Sequence, residues 1–285
     1  MTKLESLETA AMLLYEDPRR RLAGEFSGAL SSHVAELLQS YTQCFDTTYS
    51  SVRGSTYCDT HLPNDLDFDI GLLPVRGVDD WLTPLQEFVP TLGEALALDA
   101  QMYERLSELF GTTPDVVRTS LRNPVLKQRG NLVVLKFRLE ERDRTMIEVG
   151  AGNDRWHRVL LRYNAGWDKQ VNNLLPDKKR RVISHVCLMK FLAKCCNIYG
   201  GDGPGSRNYE QMVIKYADKT DQSPIEALMT EMLGVDDPRN IEVPFPIPNE
   251  IWAEEDIELR RNNVMRAFSP EAWSKFQCLA RAVLN

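Results

Sequence analysis

The sequence lacks every cysteine pattern that chemistry commonly uses. Its six cysteines, Cys44, Cys58, Cys187, Cys195, Cys196 and Cys278, contain no C-x-x-C pair. That excludes a zinc knuckle and a disulfide framework. Cys195-Cys196 suits the core side of a helix, and a reducing cytoplasm is the simplest setting. Also missing is any run of 18 apolar residues, so no membrane-spanning helix is expected. The N-terminal stretch "MTKLESLETAAMLLYEDPRRR" has no apolar h-region leading to a small-residue cleavage site, and reads as a surface helix rather than a signal peptide. Basic residues fall short of acids, 34 against 41, for a net charge of −7 and an isoelectric point near 5.3. Such a balance argues against a broad nucleic-acid surface but leaves room for a local basic groove. The two basic clusters, "DPRRRL" at 17–22 and "DKKRRV" at 177–182, read as solvated helix ends. His33, His61, His157 and His185 show no ligand spacing and read as structural or exposed. There is no internal repeat and no low-complexity tract.

What is present is ordinary globular composition, 43% apolar and 26% charged over 285 residues, enough for one large domain or two modest ones. Leu30, Val34, Leu37, Leu38, Tyr41 and Phe45 recur at helical spacing and predict a helix over 24–45. "TTYSSV" reads as a short strand. Helical patterning runs from 78 to 121, with "TTPD" at 112–115 marking a helix start. Strands return at 131–139 and 145–152 around a polar hairpin, with a further candidate at 158–163. Helices are expected at 177–197, 207–217, 223–233 and 269–283, broken by the glycine-rich "YGGDGPGS" and the proline-rich "VPFPIP". The fold class is therefore α+β: a mixed-sheet domain with N-terminal helices over 1–165, then a helical domain over 166–285. Trp156 and Trp167 read as core rather than base-stacking residues.

One stretch, "GSTYCDTHLPNDLDFDIGLLP" (54–74), concentrates the chemistry. In a strand Leu66, Phe68 and Ile70 take one face, and Asp67 and Asp69 converge on the other. Two adjacent carboxylates repel unless a cation joins them. A hard dication with oxygen ligands fits, Mg²⁺ above all when a triphosphate completes the shell; charge decorating a protected edge strand is the plainer alternative. Upstream, Gly54-Ser55 at a strand end offers backbone N–H groups and a hydroxyl to phosphate. A phosphate cradle twelve residues before a carboxylate pair describes a nucleoside triphosphate site.

These residues resemble the signature of polymerase-β-type nucleotidyltransferases, Gly-Ser, a spacer, then Asp-h-Asp-h. The spacing of Ser55, Thr60, Leu62, Asp67 and Asp69 is similar to that of the archaeal-type CCA-adding branch, except that Cys58 stands where that branch often carries arginine. The resemblance implies a palm-like catalytic domain and a helical domain with the active site in the cleft between them. It implies a third carboxylate on a later strand: Glu148 in "TMIEVGAG", with Asp143 as the fallback. "LMKFLAKCCNIYG" is similar to the family helix carrying lysine and, nine residues on, tyrosine, which makes Lys190 and Tyr199 nucleotide-binding candidates with Gly54, Ser55 and Thr60. "GSRNYEQMVIKY" resembles the next helix start, with Ser206 and Tyr209 as matches at a spacing one residue wider, and "RRNNVMRAFSPEAWSKF" resembles the segment that closes the helical domain.

The implied reaction transfers NMP from an NTP or dNTP to a hydroxyl of a nucleotide or oligonucleotide, without a template and with release of pyrophosphate. Two Mg²⁺ ions (Mn²⁺ as substitute) held by Asp67, Asp69 and Glu148 would serve the entering and leaving oxygens, about 3.5–4 Å apart. CCA-adding enzymes carry a long C-terminal extension, whereas this sequence reaches Asn285 about where the helical domain closes. With the acidic charge, that favours short linear or cyclic oligonucleotide products, as in the oligoadenylate and cyclic-oligonucleotide synthases of immune signalling. Tailing of tRNA, other RNA or DNA 3′ ends, toxin-like modification of a protein or small molecule, and a catalytically dead binding module are the alternatives. A continuous basic groove from Asp67 to "DKKRRV" would favour tailing. Asn172, Asn173 and Arg207 are positioned as base readers. No membrane association is expected, the setting is cytoplasmic, and a protein effector is compatible with the sequence.

Overall fold

Alternating and helical periodicities resolve into two units in a computed structural model of the chain, which describes residues 3–63, 66–75, 77–129, 132–139, 144–152, 164, 166–200, 203–217, 223–243 and 263–285. One unit is Pro18–Leu161; the other combines Met1–Asp17 with Arg162–Asn285. Helix α1 (Lys3–Tyr15) thus belongs with the C-terminal unit, not with the sheet as its place in the sequence suggests.

The Pro18–Leu161 unit opens with α2 (Pro18–Tyr41), proline at its first position, burying Ala23, Phe26, Leu30, Val34 and Leu38 along one stripe. Strand β1 (Phe45–Arg53) runs into a single helical turn, α3 (Gly54–Tyr57), and β2 (Phe68–Pro74) follows. Helices α4 (Leu82–Leu98), α5 (Ala100–Phe110) and α6 (Pro114–Arg122) come next. Asp99 caps α5 by accepting from the N–H groups of Gln101 and Met102, and Thr113 caps α6 ahead of Pro114, as "TTPD" predicts. On α4, Gly93 faces the Leu121 carbonyl of α6; a Cβ there would lie 2.5 Å from that oxygen, so only glycine allows this approach.

Strands β3 (Val125–Arg129), β4 (Leu132–Leu139) and β5 (Arg144–Gly152) complete a sheet of order β1-β2-β5-β4-β3. Only β2 and β5 run parallel; the other neighbours are antiparallel. Phe68, Ile70 and Leu72 of β2, with Leu135, Phe137, Ile147 and Val149, join Leu30, Leu38, Phe88, Leu92, Leu106 and Leu121 in one core. Each such side chain taken fully out of water contributes about 1.5–3 kcal/mol. Four helices thus claim one face of the sheet and leave its functional residues to the other. β3 was not foreseen, and the strand candidate at 158–163 lies outside the described residues.

In the second unit, α7 (Pro176–Cys195) packs with α1, joined by His185 Nε2 to Glu8 Oε1 at 3.0 Å and by an Arg180–Glu16 ion pair. Helices α8 (Ser206–Lys215), α9 (Pro224–Leu233) and α10 (Pro270–Leu284) follow, with Trp167 fully buried as expected. Trp156 lies outside the described residues. All six cysteines are free; Cys187 is buried, but Cys195 is exposed and lines no core. Among the described residues, no helix is long and apolar enough to cross a membrane.

Candidate active site

Register decides which residues share the open face of the sheet. Across the parallel pair, Phe68 stands beside Ile147, Asp69 beside Glu148, and Ile70 beside Val149. Because the flanking pairs are buried in the core, Asp69 and Glu148 point away from it, and both are half-buried. Asp67 continues the alternation just before β2, half-buried between Leu66 and Phe68, each 1% exposed. On the other side of Glu148, antiparallel β4 places Lys136, whose ammonium pairs with Glu148 Oε2. Asp69 has Arg53 as its register partner on β1. The row across four strands is therefore Arg53, Asp69, Glu148, Lys136. The next residues on this face are Gly71 and Gly150, paired in register and both buried.

The Gly-Ser turn is α3 itself, set where β1 ends. Thr60 closes it: its N–H donates to the Ser55 carbonyl at 2.8 Å and its hydroxyl to the same oxygen at 3.5 Å. Thr60 is fully buried, so its place is behind the turn, shaping it. Thr56 Oγ1 donates to the Asp67 carbonyl at 3.0 Å and ties the turn to the first carboxylate. Cys58 is 1% exposed. The position where that branch often carries arginine is therefore buried here.

The remaining expected residues gather in the helical unit. Lys190 of α7 is buried, with Nζ 2.6 Å from Glu210 Oε1, and Ser206 Oγ donates to the same oxygen at 3.1 Å. Burial works against the Lys190 charge, but the Glu210 carboxylate outweighs it and holds the ammonium above its ordinary pKa. Tyr199 stacks on Tyr209, ring centroids 5.8 Å apart, and Lys194 Nζ sits 4.4 Å over the Tyr199 ring. Burial pulls the Lys194 ammonium down to about 8 and pushes the Tyr209 hydroxyl up. The loop bearing Tyr199 is pinned by the bond from the Tyr209 hydroxyl to the Ile198 carbonyl and by Gly203, where any Cβ would collide with that carbonyl. Asn172 is engaged with Asp168 at 2.5 Å, Asn173 is exposed and Arg207 half-buried.

Sequence reasoning did not find Lys136, Thr56, Glu210 or Lys194. Glu210 had a signal: a lone acid flanked by Tyr209, Met212 and Val213 on an apolar helix face. Asp143, the alternative third acid, lies outside the described residues.

Hard oxygen donors of the right type occupy the open face of adjacent strands. Among the described residues, though, no three such groups close around a common point. Glu148 instead holds an ammonium, the cation such a crowded acidic face gathers for itself. The donor set suits Mg²⁺ in chemistry, with Lys136 as its competitor at Glu148.

No protein-family model matches the sequence, and no curated protein matches it. Solved structures do. A cytoplasmic RNA terminal U-transferase aligns over 99% of this chain and 95% of its own, with 14% identity and a TM-score of 0.56. The Cid1 poly(U) polymerase with MgGTP bound aligns over 98% and 93%, with 14% identity and a TM-score of 0.57. Cid1 in complex with its short product ApU aligns over 98% and 92%, with 13% identity and a TM-score of 0.55. At such identities the likeness establishes the fold alone: a mixed sheet with helices, of α+β class, shared with these terminal U-transferase and poly(U) polymerase structures.

Proposed function

We propose that this chain is a template-independent nucleotidyltransferase. It joins the α-phosphate of an NTP or dNTP to a hydroxyl of a nucleotide or oligonucleotide. The acceptor oxygen forms a new P–O bond, the bond from the α-phosphorus to the bridging oxygen breaks, and pyrophosphate leaves. The observation that carries this reading is the register of Asp69 beside Glu148, two residues beyond Asp67, on the sheet face turned away from the core, in a fold that matches a terminal U-transferase along both chains.

Asp67, Asp69 and Glu148 would hold the metal. Mg²⁺, when bound, supplies positive charge to the triphosphate and lowers the pKa of the acceptor hydroxyl. Ser55 and the N–H groups of the turn at Gly54 receive phosphate oxygens. Lys194 and Tyr199 offer a cation and a hydroxyl on the helical unit. Lys190 and Ser206, both bound to Glu210, tie α7 to α8 beside Tyr199, which itself stacks on Tyr209 of α8. Most of the rate enhancement in such a site comes from positioning and electrostatics.

The acidic chain favours a short acceptor, so short linear or cyclic oligonucleotides are the first product class. Tailing of an RNA 3′ end is the second reading, favoured by the near-complete alignment with a protein described as an RNA terminal U-transferase. The test is incubation with each α-labelled NTP and dNTP, with Mg²⁺ or Mn²⁺, with and without an RNA oligonucleotide, beside the Asp67→Ala/Asp69→Ala double variant. Label in small phosphatase-resistant species without RNA identifies the first class, and label only in RNA-length bands the second. The double variant is expected to lose activity by about 10³-fold or more with its melting temperature preserved. Unchanged turnover in that variant would refute the site.

A further inference from the structure

A charged residue lies buried behind the Gly-Ser turn. Arg20, on the first turn of α2, is 2% exposed although it sits within the run Arg19-Arg20-Arg21. The sequence suggests a solvated helix end there, and Arg19 and Arg21 are exposed as that reading requires, whereas Arg20 is not. Arg20 Nε donates to the His61 carbonyl at 3.1 Å. Its Nη2 donates to Asp59 Oδ1 at 2.6 Å and to the Asp59 carbonyl as well. His61, 1% exposed, returns a bond from Nε2 to the Arg20 carbonyl at 3.0 Å. Asp59 carries a φ of 54°, in the left-handed region that L side chains rarely adopt. One planar guanidinium thus gathers three acceptors around a backbone bend that would otherwise relax.

The bend holds Thr60, between the two residues Arg20 grips. Thr60 fixes the Ser55 carbonyl through its N–H and its hydroxyl. One residue further, Thr56 fixes the Asp67 carbonyl. The chain of bonds runs from Arg20 through 59–61 to the Gly-Ser turn and on to the first carboxylate, all inside the Pro18–Leu161 unit. Burying a guanidinium is costly unless its donors are satisfied. An apolar side chain could fill the space, but only a forked donor can order three loop oxygens at once.

We propose that Arg20 is a positioning residue of the candidate active site: through Asp59 and His61 it sets the turn that carries Ser55 and ties Thr56 to the Asp67 carbonyl. Its catalytic consequence rests on the nucleotidyltransferase reading above; its structural consequence does not. Arg20→Lys keeps the charge and loses the fork. Asp59→Asn, at a partly exposed carboxylate, is the milder change and leaves both carbonyl bonds in place.

The experiment measures amide hydrogen exchange over 54–62 and 66–75, thermal melting, and kcat and KM for NTP in both full-length variants. Exchange over 54–62 is expected to quicken by about tenfold in Arg20→Lys, and less in Asp59→Asn, while α4–α6 and the helical unit keep their rates. KM for NTP rises in the same order, with a smaller change in kcat. Unchanged exchange over 54–62 in both variants overturns the proposal. So does acceleration spread evenly over 18–161 with kcat and KM preserved in the folded fraction, the mark of a merely structural arginine. If the wild-type chain transfers no nucleotide, the reading of its function fails, and the exchange result alone decides the clamp.

Discussion

At the scale of single residues, the Lys190–Glu210 pair makes the sharpest demand. The two side chains are 2% and 1% exposed and 2.6 Å apart. Removing either strands the other as an uncompensated buried charge, which costs about 3–5 kcal/mol. Lys190→Met and Glu210→Leu are each expected to destabilise the helical unit by that amount in urea unfolding, and the double replacement to recover most of it. A double variant no more stable than the singles would show that the pair is not what holds the cluster. Lys194, set over the Tyr199 ring, is the helical unit's proposed nucleotide contact, and burial lowers its pKa to about 8. The sign follows directly: the ammonium is present below about 8 and lost above it, so nucleotide affinity should fall as pH rises through that value. Lys194→Gln should bind more weakly at neutral pH and flatten the profile; a profile unchanged by the substitution would exclude the contact. The D-x-D pair stood out because charge in an apolar alternation is conspicuous, whereas Glu148 entered only through the resemblance. Glu210 and Arg20 did not stand out, because a charge buried among partners distant in sequence looks, in one dimension, like any solvated one.

At the scale of elements, α1 shows how sequence adjacency misleads. Its apolar residues meet α7, and Glu8 accepts from His185, which is 1% exposed and also bonds the Arg181 carbonyl through Nδ1 at 2.7 Å. The His185 hydrogen bond holds the Glu8 carboxyl below its ordinary 4.5, against the opposing effect of burial. A depressed carboxyl stabilises the docked helix above its unfolded pKa and loses that contribution as pH falls through the folded one. Amides of 3–15 should therefore lose protection on acidification before those of α7, and Glu8→Gln should remove that acid-dependent step. A variant that still loses protection over 3–15 on acidification as the wild type does would sink the idea. β2, β4 and β5 were readable because Asp69, Lys136 and Glu148 interrupt otherwise apolar, largely buried runs. β3, "VLKQR", was not: it is an edge strand with Val125 40% exposed, and only its pairing with β4 gives it a conformation. The pairing of Asp69 with Glu148 was equally invisible, since register between strands so distant in sequence is set by the core beneath them.

At the scale of the whole molecule, net charge separates the two acceptor classes more cleanly than the fold does. A chain at −7 repels a polyanion except where basic residues converge, so it can neutralise few phosphates. Each phosphate contacted on a single strand adds about −0.7 to the slope of log K against log salt. An enzyme gripping two or three phosphates near a 3′ end should lose roughly tenfold in affinity between 50 and 200 mM salt, whereas one gripping six or more should lose several hundredfold. Titration of a labelled oligoribonucleotide across that range reads the difference directly. The expectation here is the shallow slope, the same for a trinucleotide and a long RNA, because contacts confined to the last few residues saturate with a short strand. A steep slope that grows with RNA length would mean that an extended basic track outweighs the net charge, and 3′-end tailing would then replace short-oligonucleotide synthesis as the reading of this site.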